Sequence, residues 1–186
     1  MAGLNIPYGA TVAIDGGGVL RSYGGSTTAG GYGSAGIGAF AGGTCGKLIV
    51  NGGTVYGQGA LGGAGFGSGA GYGYIGSKPG GVLVMNGGEA TFEGSYSGTD
   101  TWSVTQGVGS TNGDTSVEIN GGTLNTSFHS TTKITYHGES LTRQQLRGLT
   151  PETTYVLYDM LGMPEYKETS TVNRDIVFIS YWLTPG

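Results

Sequence analysis

A four-residue signature, an apolar residue followed by Asp or Asn and two glycines, is the feature that most constrains the fold of this chain. It occurs as Ile-Asp-Gly-Gly, Val-Asn-Gly-Gly, Met-Asn-Gly-Gly and Ile-Asn-Gly-Gly at 14–17, 50–53, 85–88 and 119–122. Successive markers, which are Asp15, Asn51, Asn86 and Asn120, are 36, 35 and 34 residues apart. Such a period is typical of solenoids and predicts one structural unit repeated four times.

Aligning the four units on the marker produces apolar columns. The columns three residues before, one residue before and four residues after it contain Val12, Leu48, Leu83 and Val117; Ile14, Val50, Met85 and Ile119; and Val19, Val55, Ala90 and Leu124. A later column, in which each residue precedes a glycine, contains Ile37, Ile75 and Val108. Alternation with period two indicates strands, and Gly-Gly indicates a bend between them.

Equivalent residues stacked at one strand spacing predict an all-β fold, a parallel β-solenoid of about four coils. The markers would then form a ladder hydrogen-bonded along the solenoid axis, at a corner where Asn tolerates left-handed backbone geometry. We interpret this ladder as structural. A row of metal or ligand contacts is the alternative, but three of the four side chains are neutral amides.

Composition changes near residue 140, since 39 of the 42 glycines precede residue 141. We therefore predict a Gly-rich repeat domain at 1–140 and a small α+β C-terminal cap at 141–186. A capping-box spacing predicts a helix at 142–147, and β-branched and aromatic runs predict a three-strand meander at Thr153–Leu161, Tyr166–Val172 and Ile176–Leu183. A second helix from 151 to 162 is the alternative for the first of these strands.

The predicted role for residues 141–186 is structural, as a cap on the exposed sheet edges of the solenoid. The alternative is an oligomerisation or docking module whose surface is aromatic: Tyr155, Tyr158, Phe178, Tyr181 and Trp182.

Charge argues against two classes of partner. The net charge is −4, and the four basic residues of the first 140 are scattered, which predicts neither a nucleic acid nor an anionic lipid partner. No apolar run is long enough to span a bilayer, so we expect no membrane insertion. We also expect no metal, no cofactor and no catalytic residue. His129 and His137 are interpreted as structural, because Lys133 to Tyr136 between them has the pattern of a strand that ends the solenoid.

One outward column is apolar: Ala13, Ile49 and Val84, interrupted by Glu118. We call it the apolar stripe. Either the Gly-rich stretches at 24–46 and 57–81 fold over it, or copies of the chain associate along it as a homo-oligomer. Association is favoured slightly, with a trimer as the preferred assembly.

Another outward face is polar. Its columns contain Gly18, Thr54, Glu89 and Thr123 and then Ser22, Gln58, Glu93 and Ser127. Carboxylate and amide groups can bind sugar hydroxyls, and a flat aromatic ring can stack on a pyranose. The candidate ligand-binding residues are Tyr56, Glu89, Glu93, Tyr96 and Trp102. The alternative is that these are ordinary solvated side chains.

Enzyme activity is not expected. Glu89 and Glu93 are four residues apart in one strand, roughly 13 Å, which is too far for the usual acid/base pair of a glycosidase. Asp100 or Asp114 could complete a pair from a loop, so a polysaccharide hydrolase or lyase of the β-helix type remains an alternative.

Three segments carry a resemblance to a known family: Val-Leu-Val-Met-Asn-Gly-Gly at 82–88, Lys-Leu-Ile-Val-Asn-Gly-Gly-Thr-Val at 47–55, and Ser-Ala-Gly-Ile-Gly at 34–38. They resemble the Gly-rich right-handed β-helix repeats of bacterial surface proteins, adhesin-like or carbohydrate-binding, and similar repeats are plausible in phage tail fibres. The resemblance covers about 10–125 and implies right-handed coiling.

It also implies an extracellular, cell-surface or virion-surface location and a non-catalytic binding or fibre module for a glycan or cell-surface receptor. A purely structural spacer is the alternative. No catalytic residue is carried over, because the shared pattern comprises only the core and the bends.

Overall fold

The computed structural model describes residues 1–26, 32–70, 80–95, 106–110, 114–129 and 131–140, and the backbone of four later strands. Contacts divide the chain into two compact units, Met1–Ser140 and Leu141–Gly186. All regular structure in the described residues is β. No helix among them is long and apolar enough to cross a membrane.

In chain order the strands are β1 (Leu4–Asn5), β2 (Thr11–Ile14), β3 (Val19–Tyr23), β4 (Ile37–Gly38), β5 (Lys47–Val50), β6 (Thr54–Gln58), β7 (Phe66–Gly67), β8 (Gly81–Met85), β9 (Glu89–Glu93), β10 (Val108–Gly109), β11 (Thr115–Ile119), β12 (Thr123–Thr126), β13 (Lys133–Tyr136), β14 (Glu139–Ser140), β15 (Thr142–Leu146), β16 (Thr154–Tyr158), β17 (Pro164–Thr169) and β18 (Ile176–Ser180).

Three sheets build the compact unit Met1–Ser140. The first sheet has the order β1-β4-β7-β10, the second β2-β5-β8-β11-β13-β14, and the third β3-β6-β9-β12. Pairing is parallel throughout except between β13 and β14, which are antiparallel. Each of the four sequence repeats therefore contributes one strand to each sheet, and that strand pairs with the equivalent strand of the next repeat.

The second sheet confirms the predicted apolar columns. Val12, Leu48, Leu83 and Val117 are in register across β2, β5, β8 and β11. Leu48, Leu83, Val50 and Met85 are fully buried. The expected final strand is also present, because β13 pairs in parallel with β11.

The third sheet corrects one column. Val55 pairs with Leu20, whereas Val19 pairs with Thr54 and is 64% exposed. The first bend contains three glycines where the others contain two, so counting from the marker places the first unit one residue out of register. A one-residue slip moves a side chain to the opposite face of a strand. The outward positions assigned to Gly18 and Ser22 therefore belong to Val19 and Tyr23.

The first sheet corrects another column. Ile37 pairs with Phe66, and Phe66 with Val108, so Phe66 occupies the position predicted for Ile75. Ile75 itself lies outside the described residues. The following glycines, Gly38 and Gly67, have φ angles of 131° and 132°. A Cβ on Gly38 would lie 2.2 Å from the carbonyl oxygen of Gly67, so only glycine fits this stack.

The marker residues form the predicted ladder. Asn51 Nδ2 donates to Asp15 Oδ1 at 2.7 Å, Asn86 Nδ2 to Asn51 Oδ1 at 2.7 Å, and Asn120 Nδ2 to Asn86 Oδ1 at 3.0 Å. The expected left-handed geometry, however, falls on the glycines that follow, Gly16, Gly53, Gly88 and Gly122. Glycine adopts positive φ without the steric cost of a Cβ, and no marker residue has a positive φ.

The apolar stripe is partly covered within a single chain. Ala13 is exposed and Ile49 half-buried, but Val84 is only 6% exposed. The stripe therefore offers less apolar surface to a second copy than its sequence predicts.

The helix predicted at 142–147 is wrong, because Thr142–Leu146 is the strand β15 and pairs antiparallel with β18. Its capping spacing is a local preference, which pairing with a distant strand overrides. The alternative helix from 151 to 162 is wrong as well, since β16 pairs antiparallel with β17. The three predicted strands are present in shorter form. They do not form a simple meander, because β18 pairs with β15.

Candidate functional site

The outward face of the third sheet carries a polar and aromatic cluster. Tyr23, Gln58 and Glu93 are in register across β3, β6 and β9. Tyr56 lies two residues before Gln58 and therefore on the same face. The neighbouring residues that precede Tyr56 and Glu93 in their strands, Val55 and Phe92, are buried, which fixes the outward direction of the cluster.

Glu93 is the centre of this cluster. The Tyr56 hydroxyl donates a 2.6 Å hydrogen bond to Glu93 Oε2, and Gln58 Nε2 donates to the same oxygen at 3.4 Å. The two donors belong to β6 and the acceptor to β9, so the bonds link adjacent units. A carboxylate has further acceptor positions, and Glu93 is exposed, so it can still bind a donor from solution.

The hydrogen bond from Tyr56 to Glu93 raises the pKa of Tyr56 to about 12, with smaller contributions from burial and from the negative charge of Glu93. The ordinary value is 10.0. The single proton of the phenol is held by the carboxylate, so Tyr56 offers a ligand the acceptor lone pairs of its oriented oxygen.

Tyr23 adds an aromatic ring that the sequence argument missed. Its ring centroid lies 5.7 Å from that of Tyr56, with 55° between the planes, and the side chain is 56% exposed. The missed signal was the third glycine of the first bend, which shifts Tyr23 into the Gln58 and Glu93 row. Two neighbouring aromatic rings thus lie on the same open face as the carboxylate, on the two strands to one side of it.

An open depression of about 360 Å³ adjoins the cluster on the side of β12. It is lined by Thr91, Phe92, Glu93, Gly94, Asn125, Thr126 and Ser127. Part of the lining is fixed by the chain: Thr126 Oγ1 donates to the Phe92 carbonyl at 2.9 Å, and Ser127 Oγ accepts from the Gly107 N–H at 3.0 Å. Glu93 belongs to both the cluster and the depression, so one ligand could contact both.

Of the five predicted ligand-binding residues, the structure brings two together, Tyr56 and Glu93. Glu89 lies at the opposite end of β9, exposed and in register with Thr54 and Thr123. Tyr96 and Trp102 lie outside the described residues.

The described acidic residues form no close carboxylate pair on this face. Glu89 and Glu93 occupy the two ends of a five-residue strand. Asp114 forms an ion pair with Lys133 next to the second sheet, and Asp100 is outside the described part of the chain. His129 Nδ1 lies 3.0 Å from Thr131 Oγ1, and the His137 ring packs edge-on against Tyr136. Where the structure is described, no three His, Cys, Asp or Glu side chains are grouped as metal ligands.

Comparison with known proteins adds no relative: no protein-family model, no curated protein and no solved structure matches this chain. The geometry of the third sheet is therefore the basis for a functional proposal.

Proposed function

We propose that the chain is a non-catalytic surface-binding module that presents the outer face of its third sheet to a glycan. One observation carries the proposal: Tyr56 and Glu93 are hydrogen-bonded on an open face beside the exposed ring of Tyr23. The carboxylate and the oriented phenol oxygen can accept hydrogen bonds from sugar hydroxyls, and a flat ring can stack on the apolar face of a pyranose.

The proposed architecture is a right-handed parallel β-solenoid of about four coils, whose three sides are the three sheets. The in-register pairing of equivalent strands supports this coiling. A rigid stack of this kind would hold Tyr23, Tyr56 and Glu93 in fixed positions at low entropic cost.

In the proposed mode of binding, the apolar face of a pyranose rests on Tyr23 and its hydroxyls reach Glu93. Hydroxyl groups of the next sugar would enter the depression and contact Thr91 and Asn125. The open shape of the depression suits a chain of sugars better than an enclosed small molecule. By resemblance to adhesin-like repeats, we propose a cell or virion surface as the location.

A structural spacer is the competing proposal, and the glycine stack and the marker ladder are consistent with it. A hydrolase or lyase is less well supported, because the two glutamates of β9 are separated by the length of that strand. Association into a trimer along the apolar stripe stays a prediction of the sequence that competes with any other mode of assembly, and the mass of the chain in solution decides between them.

The proposal is tested by screening the full chain on a glycan array and titrating the best ligand by calorimetry. Tyr23→Ala and Glu93→Gln should each weaken binding by about tenfold or more, as loss of a stacked ring or of a charged acceptor does. Glu118→Gln removes the same charge on the second sheet and should leave the affinity unchanged. Absence of binding to any glycan would favour the spacer.

A further inference from the structure

In the first of the four repeats, one edge of the second sheet is unpaired among the described residues. The sheet order ends at β2, whose one strand partner in the described part of the chain is β5. The Ala10 and Ile14 carbonyls accept from the Lys47 and Asn51 N–H groups, so the even-numbered residues of β2 direct their backbone groups toward β5. Groups of neighbouring residues in a strand point in opposite directions. The N–H and C=O of Thr11, Ala13 and Asp15 therefore face the open edge.

The core is incomplete at the same end. Val12 and Ile14 are half-buried, whereas their register partners Leu48 and Val50 are fully buried. The strand β2 itself contains no charged side chain and no proline, which are two of the features that protect an edge. The opposite end of this sheet is different, because it closes with the two-residue antiparallel strand β14.

We propose that β2 is a dimerisation surface, on which β2 of a second copy of this chain adds as an antiparallel strand centred on Ala13. In this register Ala13 faces Ala13 of the other copy, and the two exchange both backbone hydrogen bonds. Thr11 then lies opposite Asp15 of the other copy, and Val12 opposite Ile14. Such a contact is isologous and closes after two copies.

The side chains in this register are complementary. The Thr11 hydroxyl can donate to the Asp15 carboxylate, whose Oδ1 already accepts from Asn51 and whose other lone pairs remain available. The inward pair joins two apolar side chains that are now half-buried. Residues 1–26 contain one acidic and one basic side chain, Asp15 and Arg21, so this end avoids the self-repulsion that the chain's charge of −4 would otherwise create.

The experiment is light scattering coupled to size exclusion on the full chain over a range of concentrations. The wild type should form a dimer whose fraction rises with concentration. Thr11→Asp places a carboxylate opposite Asp15 and should weaken dimerisation by about tenfold or more. Thr54→Asp adds the same charge on the third sheet and should leave the dimer intact. Circular dichroism checks that each variant is folded.

A cysteine crosslink tests the register itself. The Cα atoms of a hydrogen-bonded antiparallel pair are about 5.5 Å apart, within the range of a disulfide. Ala13→Cys should therefore form a covalent dimer under mild oxidation, and Thr54→Cys should not. The native Cys45 does not interfere, because it is buried. A wild type that stays monomeric, a trimer, or a dimer that is insensitive to Thr11→Asp would overturn the proposal.

Discussion

Asn51 donates a 2.7 Å hydrogen bond to Asp15, 36 residues earlier in the chain, and the same bond recurs from Asn86 to Asn51. Every amide in this ladder points its N–H toward the first unit. The last acceptor of the ladder is therefore the Asp15 carboxylate, which accepts without needing to donate. Asp15 is suited to this terminal position, whereas each internal position requires a side chain that both donates and accepts.

The ladder predicts different effects for two substitutions of similar size. Asn86→Asp removes the donor to Asn51 and should lower the free energy of unfolding by about 1 kcal/mol or more. Asp15→Asn keeps an acceptor for Asn51 and should change stability by less than about 0.5 kcal/mol. Urea unfolding of both variants measures the difference. Equal effects would mean that the amides contribute through solvation rather than through the ladder.

The glycine stack of the first sheet predicts a severe effect of a single methyl group. A Cβ on Gly67, whose φ is 132°, would lie 2.1 Å from the carbonyl oxygen of Gly109. Gly67→Ala should therefore cost more than about 3 kcal/mol, because both the strained φ and the clash oppose it. Gly17→Ala is the matched control, since its Cβ would meet no atom within 4 Å and its φ is not positive. Thermal unfolding of the pair would contradict this account if both variants melted alike.

The Tyr56 to Glu93 hydrogen bond predicts an alkaline titration. The pKa of Tyr56 is raised from 10.0 to about 12, so the bond stabilises the fold fully below pH 10.0, and that contribution is lost as the pH rises through about 12. Glu93→Gln removes the charge and should move the pKa of Tyr56 back toward 10.0. The difference in tyrosinate absorbance between each protein and its Tyr56→Phe counterpart isolates this group.

Glu89→Gln is the control for that titration, because it removes an equal charge from the same strand without touching Tyr56. The pKa of Tyr56 should stay near 12 in this variant. If both glutamine variants lowered it equally, long-range charge rather than the hydrogen bond would be the cause.

The reactivity of the buried Cys45 thiol should report on unfolding. It is 1% exposed, and burial raises its pKa from 9.0 to about 12. The thiolate is the reactive form, so a thiol reagent at pH 8 should modify Cys45 only after the chain opens. The reaction rate should rise with urea in parallel with the loss of circular dichroism. Rapid modification of the native protein would show that this part of the core is accessible.

Local patterns predicted much of Met1–Ser140, because each of its four repeats has the same apolar alternation and the same Asx-Gly-Gly bend. The register of Val12 with Leu48 and the marker ladder follow directly from that repetition. The errors arose where the spacing changes. One extra glycine in the first bend shifted the alignment of Val19 and Tyr23 by one residue. Fewer residues separate Asn51 from Phe66 than Asp15 from Ile37, so the alignment did not identify Phe66 as the partner of Ile37.

The second unit was harder to predict, because its pairing partners are distant in sequence. Nothing local in Thr142–Leu146 indicates pairing with a strand that begins at Ile176. The candidate site was predicted only in part. The repeat pattern places Tyr56 and Glu93 on one outward face, but their hydrogen bond depends on the register between two repeats.

The most direct test of the proposed function is a crystal structure of the chain soaked with the oligosaccharide that binds best on the array. The account predicts a sugar ring stacked on Tyr23 with a hydroxyl within hydrogen-bonding distance of Glu93. A ligand bound on another sheet, with the Tyr23, Tyr56 and Glu93 cluster unoccupied, would contradict it.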